Sequence, residues 1–215
     1  MESKAYLILE NGKVFEGKSF GAKKETTGEL VFTTAMTGYL ETLTDPSYFG
    51  QVVIQTFPLI GNYGVIPSDF ESKKPALKAY IVRNWCQEPS NFRCEGVLDT
   101  FLKDSDVPGL YDIDTRCLTR IVREYGVMNC KLTYSLDNLD KDIEELKSYK
   151  VTDAVKSVTT DKEDLFESET HKKNVVLMDF GAKDNIRREL VKRGCDVTVV
   201  PASTTCEQIV AMNPD

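Results

Sequence analysis

Apolar and polar positions alternate along this chain in two rhythms. The first is that of strands. "AYLILE" and "KVFEGKSFG" are strand-like runs joined by Asn11-Gly12, a pair suited to a tight hairpin turn. "ELVFTTAM", "QVVIQTFPLIG" and "ALKAYIVRNW" are further strand candidates, rich in β-branched and aromatic side chains. The period then lengthens. "SNFRCEGVLDTFLKDS" reads as a helix weakened by Gly96, and "DTRCLTRIVREYG" reads as a clearer one. Asp114 or Thr115 can cap the latter. Cys117, Leu118, Ile121, Val122 and Tyr125 form its apolar face, and Gly126 ends it. "MNCKLTY" returns as a strand. "SLDNLDKDIEELKS" follows as an acidic helix with Leu139, Ile143 and Leu146 inward. Strands first and helices later predict an α+β domain over residues 1–148.

Residues 149–173 are polar, charged and weakly periodic, as expected of a linker with one short ordered piece at most. From Asn174 the pattern changes again. "VVLMDF" is a continuous apolar run, as in a strand buried on both faces. Gly181 follows, then a helix with Ile186, Leu190 and Val191 inward, closed by Arg193-Gly194. "DVTVVPA" is the next strand. "TCEQIVAMN" opens another helix, with Ser203 or Thr204 as cap and Glu207 placed to complete a capping box. This order predicts the opening of an α/β parallel sheet over residues 174–215. Two strands do not make such a sheet, so the domain is expected to be incomplete at Asp215.

Composition narrows the function classes. A net charge of −7 argues against nucleic acid as the main partner, because phosphate binding needs a basic footprint. No apolar run approaches a membrane span, and the N-terminal stretch lacks the pattern of a signal peptide. Cysteines at 86, 94, 117, 130, 195 and 206 show no regular spacing, which favours reduced thiols in a cytoplasmic protein over a disulfide framework. With His171 as the one histidine, lying in a polar stretch and expected to be solvated, no zinc site is expected.

Four candidates could carry chemistry. Asp179, at the end of a strand, could accept a phosphoryl group or simply stand near a helix N-terminus; the second reading is favoured. The turn "DFGAKDN" matches neither G-x-x-x-x-G-K-[ST] nor G-x-G-x-x-G. Cys195 and Cys206 lack the G-x-C-x-G surroundings of a nucleophile elbow and read as structural. "TGYLETLTDPSYFG" reads as a long, mostly uncharged loop. In it Pro46 and Asp45 hold Ser47 on a rigid turn that can offer a hydroxyl and a backbone amide to a ligand. Arg116 and Arg120, four apart with Arg123 close by, form either a solvated face with an Arg120–Glu124 pair or a contact surface.

Taken together, "VFTTAMTGYLETLTDPSYFGQVV", "FPLIGNYG", "SNFR", "DIDTRCLTRIVRE" and "VVLMDFGAKDNIRREL" resemble the small, glutamine-hydrolysing subunit of carbamoyl phosphate synthetase, in order, from Leu7 to the last residue. The resemblance implies an N-terminal domain of β/β/α type peculiar to this subunit. After it would come the first part of a flavodoxin-like class I glutamine amidotransferase domain. In that family a cysteine attacks the glutamine side-chain amide, a histidine backed by a glutamate assists, and ammonia passes to a large subunit. The large subunit uses ATP and magnesium to make carbamoyl phosphate for the arginine and pyrimidine pathways; the small subunit needs no cofactor. The family's oxyanion loop, nucleophile and His/Glu pair would fall after "MNPD", so no catalytic residue is expected here. The serine of "TDPSY", which contributes to the glutamine site in the family, matches Ser47. The resemblance implies glutamine and the large subunit as partners. The alternative is a non-catalytic module that docks the large subunit.

Overall fold

The computed structural model describes residues 3–215; Met1 and Glu2, with which the predicted first domain begins, lie outside the described residues. The chain divides into two compact units, 1–152 and 153–215.

In the first unit, β1 (Lys4–Leu9), β2 (Val14–Gly21), β3 (Thr26–Thr33), β4 (Gln51–Gln55), β6 (Ala79–Ile81), β8 (Pro108–Tyr111) and β9 (Met128–Thr133) form a closed barrel. Short strands β5 (Leu59–Ile60) and β7 (Asn84–Trp85) pair separately. The helices are α1 (Tyr39–Thr44), α2 (Leu98–Asp104), α3 (Thr115–Tyr125) and α4 (Leu139–Ser148). Around the ring the order is β1-β2-β8-β6-β4-β3-β9. The neighbours β3–β4–β6–β8 run parallel and the others antiparallel.

Register explains the core. Leu7 faces Leu132, Leu30 faces Val52, Val52 faces Ala79, and Ile81 faces Leu110, so one apolar face continues around the ring. On it pack Leu118, Ile121 and Val122 of α3. Alternate residues Val53 and Tyr80 point the other way, into a second cluster with Leu40 and Leu43 of α1 and Leu98 and Leu102 of α2. Thus "VVI" and "AYIV" are continuous apolar runs because both of their faces are covered.

Several expectations need correction. The segment read as a loop contains α1, followed by a 3-10 turn at Pro46–Tyr48. The helix read over "SNFRCEGVLDTFLKDS" is confined to α2, since the Gly96 carbonyl accepts from the Val65 amide in a β-bridge instead. Asp114 caps α3 by accepting from the Cys117 amide, and Gly126, with a positive φ, ends it. Tyr125, however, the last residue of the helix, is 65% exposed. On α4, Leu146 is buried while Leu139 and Ile143 are half-buried. Asp142 is buried there too, and it receives the Lys131 ammonium of β9 at 2.6 Å.

The second unit contains α5 (Ala154–Val158), β10 (Asp164–Phe166), β11 (Lys173–Asp179), α6 (Asp184–Lys192), β12 (Cys195–Pro201) and α7 (Cys206–Ala211). β11 and β12 pair in parallel along their whole length, as the strand–helix–strand pattern requires. The stretch read as a linker holds α5 and β10, and β10 joins the sheet antiparallel to β12. β12 is therefore central. β11 is an edge strand whose apolar side chains are half-buried, not covered on both faces. Ile186, read as inward, is 48% exposed. The α7 cap is Thr205 with Gln208 as box partner, one residue beyond the predicted pair. The helix begins at Cys206, so the N3 position falls on Gln208.

Candidate functional site

The Ser47 turn is built from hydrogen bonds that are local in sequence. Pro46 opens the 3-10 turn, and the Asp45 carboxylate accepts from the Ser47 amide at 2.9 Å. The Tyr48 amide donates to the Asp45 carbonyl, and the Phe49 amide to that of Pro46. Thr42 through Pro46 are buried, Tyr48 and Phe49 are half-buried, and Gly50 is buried; Ser47 alone in that run is exposed. Gly50 has φ +79, and a Cβ there would meet Val151 at 2.7 Å, so the chain can leave the turn only through glycine.

The sequence expectation that this turn offers a backbone amide to a ligand needs correction. The Ser47 amide is committed to Asp45. Among the described residues the hydroxyl has no partner, so it is the group that a ligand can reach.

A second layer holds the turn from behind. Thr44 Oγ1 donates to the Leu40 carbonyl at 2.7 Å and accepts from the Glu71 amide at 2.8 Å, while Ser72 Oγ donates to the Thr44 carbonyl at 2.6 Å. At the start of α1, the amides of Gly38 and Tyr39 both donate to the Tyr63 hydroxyl at 3.1 Å. Tyr39 and Tyr63 stack with ring centroids 4.1 Å apart, and the Tyr39 hydroxyl donates to the Gly64 carbonyl. Tyr80 donates to Gln55 Oε1 at 3.1 Å, and Gln55 Nε2 donates to the Ala35 carbonyl at 2.6 Å. Burial pushes the phenols of Tyr39, Tyr63 and Tyr80 upward, so all three stay neutral over the physiological range. Sequence reading found Ser47 and its neighbours but missed this tyrosine frame. Tyr63 stands in "GNYG" and Tyr80 in a strand, with no spacing that ties either to the turn.

The other candidates resolve differently. The Asp179 carboxylate accepts from the amides of Gly181, Ala182 and Thr160. It closes the strand-to-helix turn, which is the favoured of its two readings. His171 is exposed but not merely solvated: its Nδ1 lies 2.7 Å from the Asp196 carboxylate, which also accepts from the Ser168 amide. The Ser168 hydroxyl donates to the carboxylate and not to the imidazole, so the group lacks the serine–histidine contact of a nucleophilic triad. All six cysteines are free. Burial raises the Cys130 thiol, leaving it an inert core group. Among the described residues, no helix is long and apolar enough to cross a membrane.

Comparison with known proteins places this geometry. Residues 7–132 match the family described as "Carbamoyl-phosphate synthase small chain, CPSase domain". The carbamoyl phosphate synthase small chain of Clostridium perfringens is 50% identical over 212 residues, which are 99% of this chain and 60% of that one. That of Bacillus anthracis is 50% identical over 216 residues, 99% of this chain and 58% of the relative. That of Streptococcus agalactiae is 46% identical over 213 residues, 99% and 59%. This chain thus spans somewhat under two thirds of the relatives that it matches. Among solved structures, an aminopeptidase from Aneurinibacillus sp. strain AM-1 aligns at a TM-score of 0.37 and 12% identity over 98% of this chain and 57% of that one, too loosely to bear on the fold. The family match covers more than half of the residues, including the Ser47 turn and all of the barrel except the outer ends of β1 and β9. The chain belongs to the carbamoyl-phosphate synthase small chain family.

Proposed function

We propose that this chain is the front part of a glutamine-hydrolysing small subunit, and that Ser47 contributes a hydrogen bond to the glutamine site. Its partner on this reading is a large subunit that takes up the released ammonia and uses ATP to make carbamoyl phosphate for arginine and pyrimidine synthesis. The second unit, with its parallel β11–α6–β12 arrangement, is read as the opening of the class I glutamine amidotransferase domain. The observation that carries the reading is the lone exposed Ser47 hydroxyl on a turn whose every neighbour is buried or half-buried, inside the region matched to the family.

The chain offers no G-x-C-x-G nucleophile, so the 215 residues alone are expected to release no ammonia from glutamine. Turnover that disappears in Cys206→Ser would overturn this and make that thiol the nucleophile. The site itself is tested in a full-length small chain carrying these residues, bound to its large chain. Ser47→Ala should raise the KM for glutamine about tenfold, the effect of one lost hydrogen bond. Synthesis from added ammonia should not change. An unchanged KM would remove Ser47 from the site.

A further inference from the structure

A cleft of about 680 Å3 opens beside α3, lined by Arg83, Arg116, Arg120 and Arg123 together with Thr115 and Thr119. The stripe follows from helical periodicity. Positions 116, 119, 120 and 123 share one face, while Leu118, Ile121 and Val122 occupy the opposite one and anchor it in the core. Three arginines so placed repel one another. The expected Arg120–Glu124 pair does not form, and among the described residues Arg116, Arg120 and Arg123 have no ion pair and no hydrogen-bond partner. Arg83 joins them from the end of β6, where its guanidinium donates to the Ile113 carbonyl at 3.1 Å. Among the described residues, no carboxylate lines the cleft. The arginines outside the cleft meet carboxylates: Arg93 meets Asp69, Arg187 and Arg188 meet Asp184, and Arg193 meets Glu189. A concentrated positive stripe in a chain of net charge −7 is a surface suited to an anionic partner.

The layout selects the kind of anion. A small phosphate compound would be gripped by buried donors converging on one point. Here the four arginines are exposed, and Thr119 Oγ1 is already committed to the Thr115 carbonyl at 2.7 Å. The arginines of α3 instead lie in a row about 10 Å long, one helical turn apart. Planar guanidinium forks in a row match carboxylates held at similar spacing on a rigid surface.

We propose that this cleft docks an acidic surface of the large subunit, with carboxylates seated on Arg116, Arg120 and Arg123. The proposal rests on the reading of this chain as a small subunit, and the test separates the two. Binding of the purified chain to its large chain is measured at low and high salt, for the wild type and for Arg116→Glu/Arg120→Glu/Arg123→Glu. The expected result is a Kd weakened ~30-fold or more by charge reversal. The wild type should show a steep loss with salt that the variant lacks, and the two should melt alike. Should the triple variant fail to fold, Arg120→Gln replaces it, with a smaller loss of the same salt-sensitive kind expected. Equal binding of variant and wild type would overturn the docking proposal and leave the small-subunit reading standing. No binding by the wild type would overturn both. Calorimetric titration with inorganic pyrophosphate is the remaining arm. Tight one-to-one binding that the triple variant loses would make this a small-anion site and overturn the protein partner.

Discussion

The two units solve the problem of covering a sheet in opposite ways. The barrel closes on itself, so none of its seven strands is left as an edge. β4 and β6 are covered on both faces, and Val52, Val53, Ile54, Ala79, Tyr80 and Ile81 are fully buried. The second unit has an open sheet of three strands, in which Val197 and Val200 are the only buried apolar side chains among the described residues. Both come from the central strand. Phe180 and Val210 stand 57% and 67% exposed. Where burial is scarce, order depends on polar closures: the Asp179 turn, the Thr205–Gln208 capping box and the Asp196 cluster. The lesson is that the same strand chemistry, a run of β-branched residues, gives a core only where a second layer is present.

The largest expected effect lies in the barrel. Ile54→Ala removes a fully buried side chain from the inner face and should cost about 2–5 kcal/mol. Val197→Ala, in the thin core of the second unit, should cost about 1–2 kcal/mol. Residue-resolved hydrogen exchange checks the contrast, with the amides of β4 and β6 exchanging far more slowly than those of β11. Equal protection in the two sheets would break the comparison.

Next come the polar closures. Asp179→Ala leaves three backbone amides without their acceptor and should cost ~1–3 kcal/mol, with the amides of Thr160, Gly181 and Ala182 losing protection together. Loss at Gly181 alone would mean that the carboxylate does not organise the turn. Thr205→Ala removes the α7 cap and should cost about 1 kcal/mol, with faster exchange confined to the first turn of that helix. Thr205→Asn should restore most of it.

What could be read in advance follows the same division. The β1–β2 hairpin, α3 and the β11–α6–β12 unit were legible because each carries a periodicity with its own end signals, such as Asn11-Gly12, Asp114 and Gly126. β8 was not. Its Pro108 and Gly109 look like a turn, but a Cβ on Gly109 would lie 2.3 Å from the Phe20 ring, so the glycine serves close packing inside a strand. α1 was hidden because six residues rich in threonine are too short to show a period, and its helicity is fixed by packing and by the Tyr63 hydroxyl. Sequence placed Ser47 on its turn, yet which of its groups was free depended on a hydrogen bond to Asp45 that either geometry would have allowed. The arginine stripe was visible as a spacing. Arg83 was not, since it reaches the cleft only through the barrel's closure.

The smallest effect is the most sharply readable, because His171 is the one histidine. Its hydrogen bond to the Asp196 carboxylate raises its pKa above the ordinary 6.5. Asp196 is held below the ordinary 3.8, first by the Ser168 amide and then by His171. A raised histidine adds stability that is complete below its unfolded pKa and is lost as pH rises through the folded value. A lowered aspartate adds stability that is present above its unfolded pKa and is lost as pH falls through the folded value. The pair therefore supports the second unit best between those two ordinary values and weakens as the solution becomes alkaline. Both side chains are in contact with solvent, so salt should screen the effect. A proton NMR titration of the ring should give a pKa above 6.5 that returns toward it in Asp196→Asn. Exchange protection of the Ser168 and His171 amides should decline over the same pH interval in the wild type and not in His171→Gln. A ring that titrates at or below 6.5 would mean that the imidazole is free in solution, and that Asp196 holds its loop through Ser168 alone.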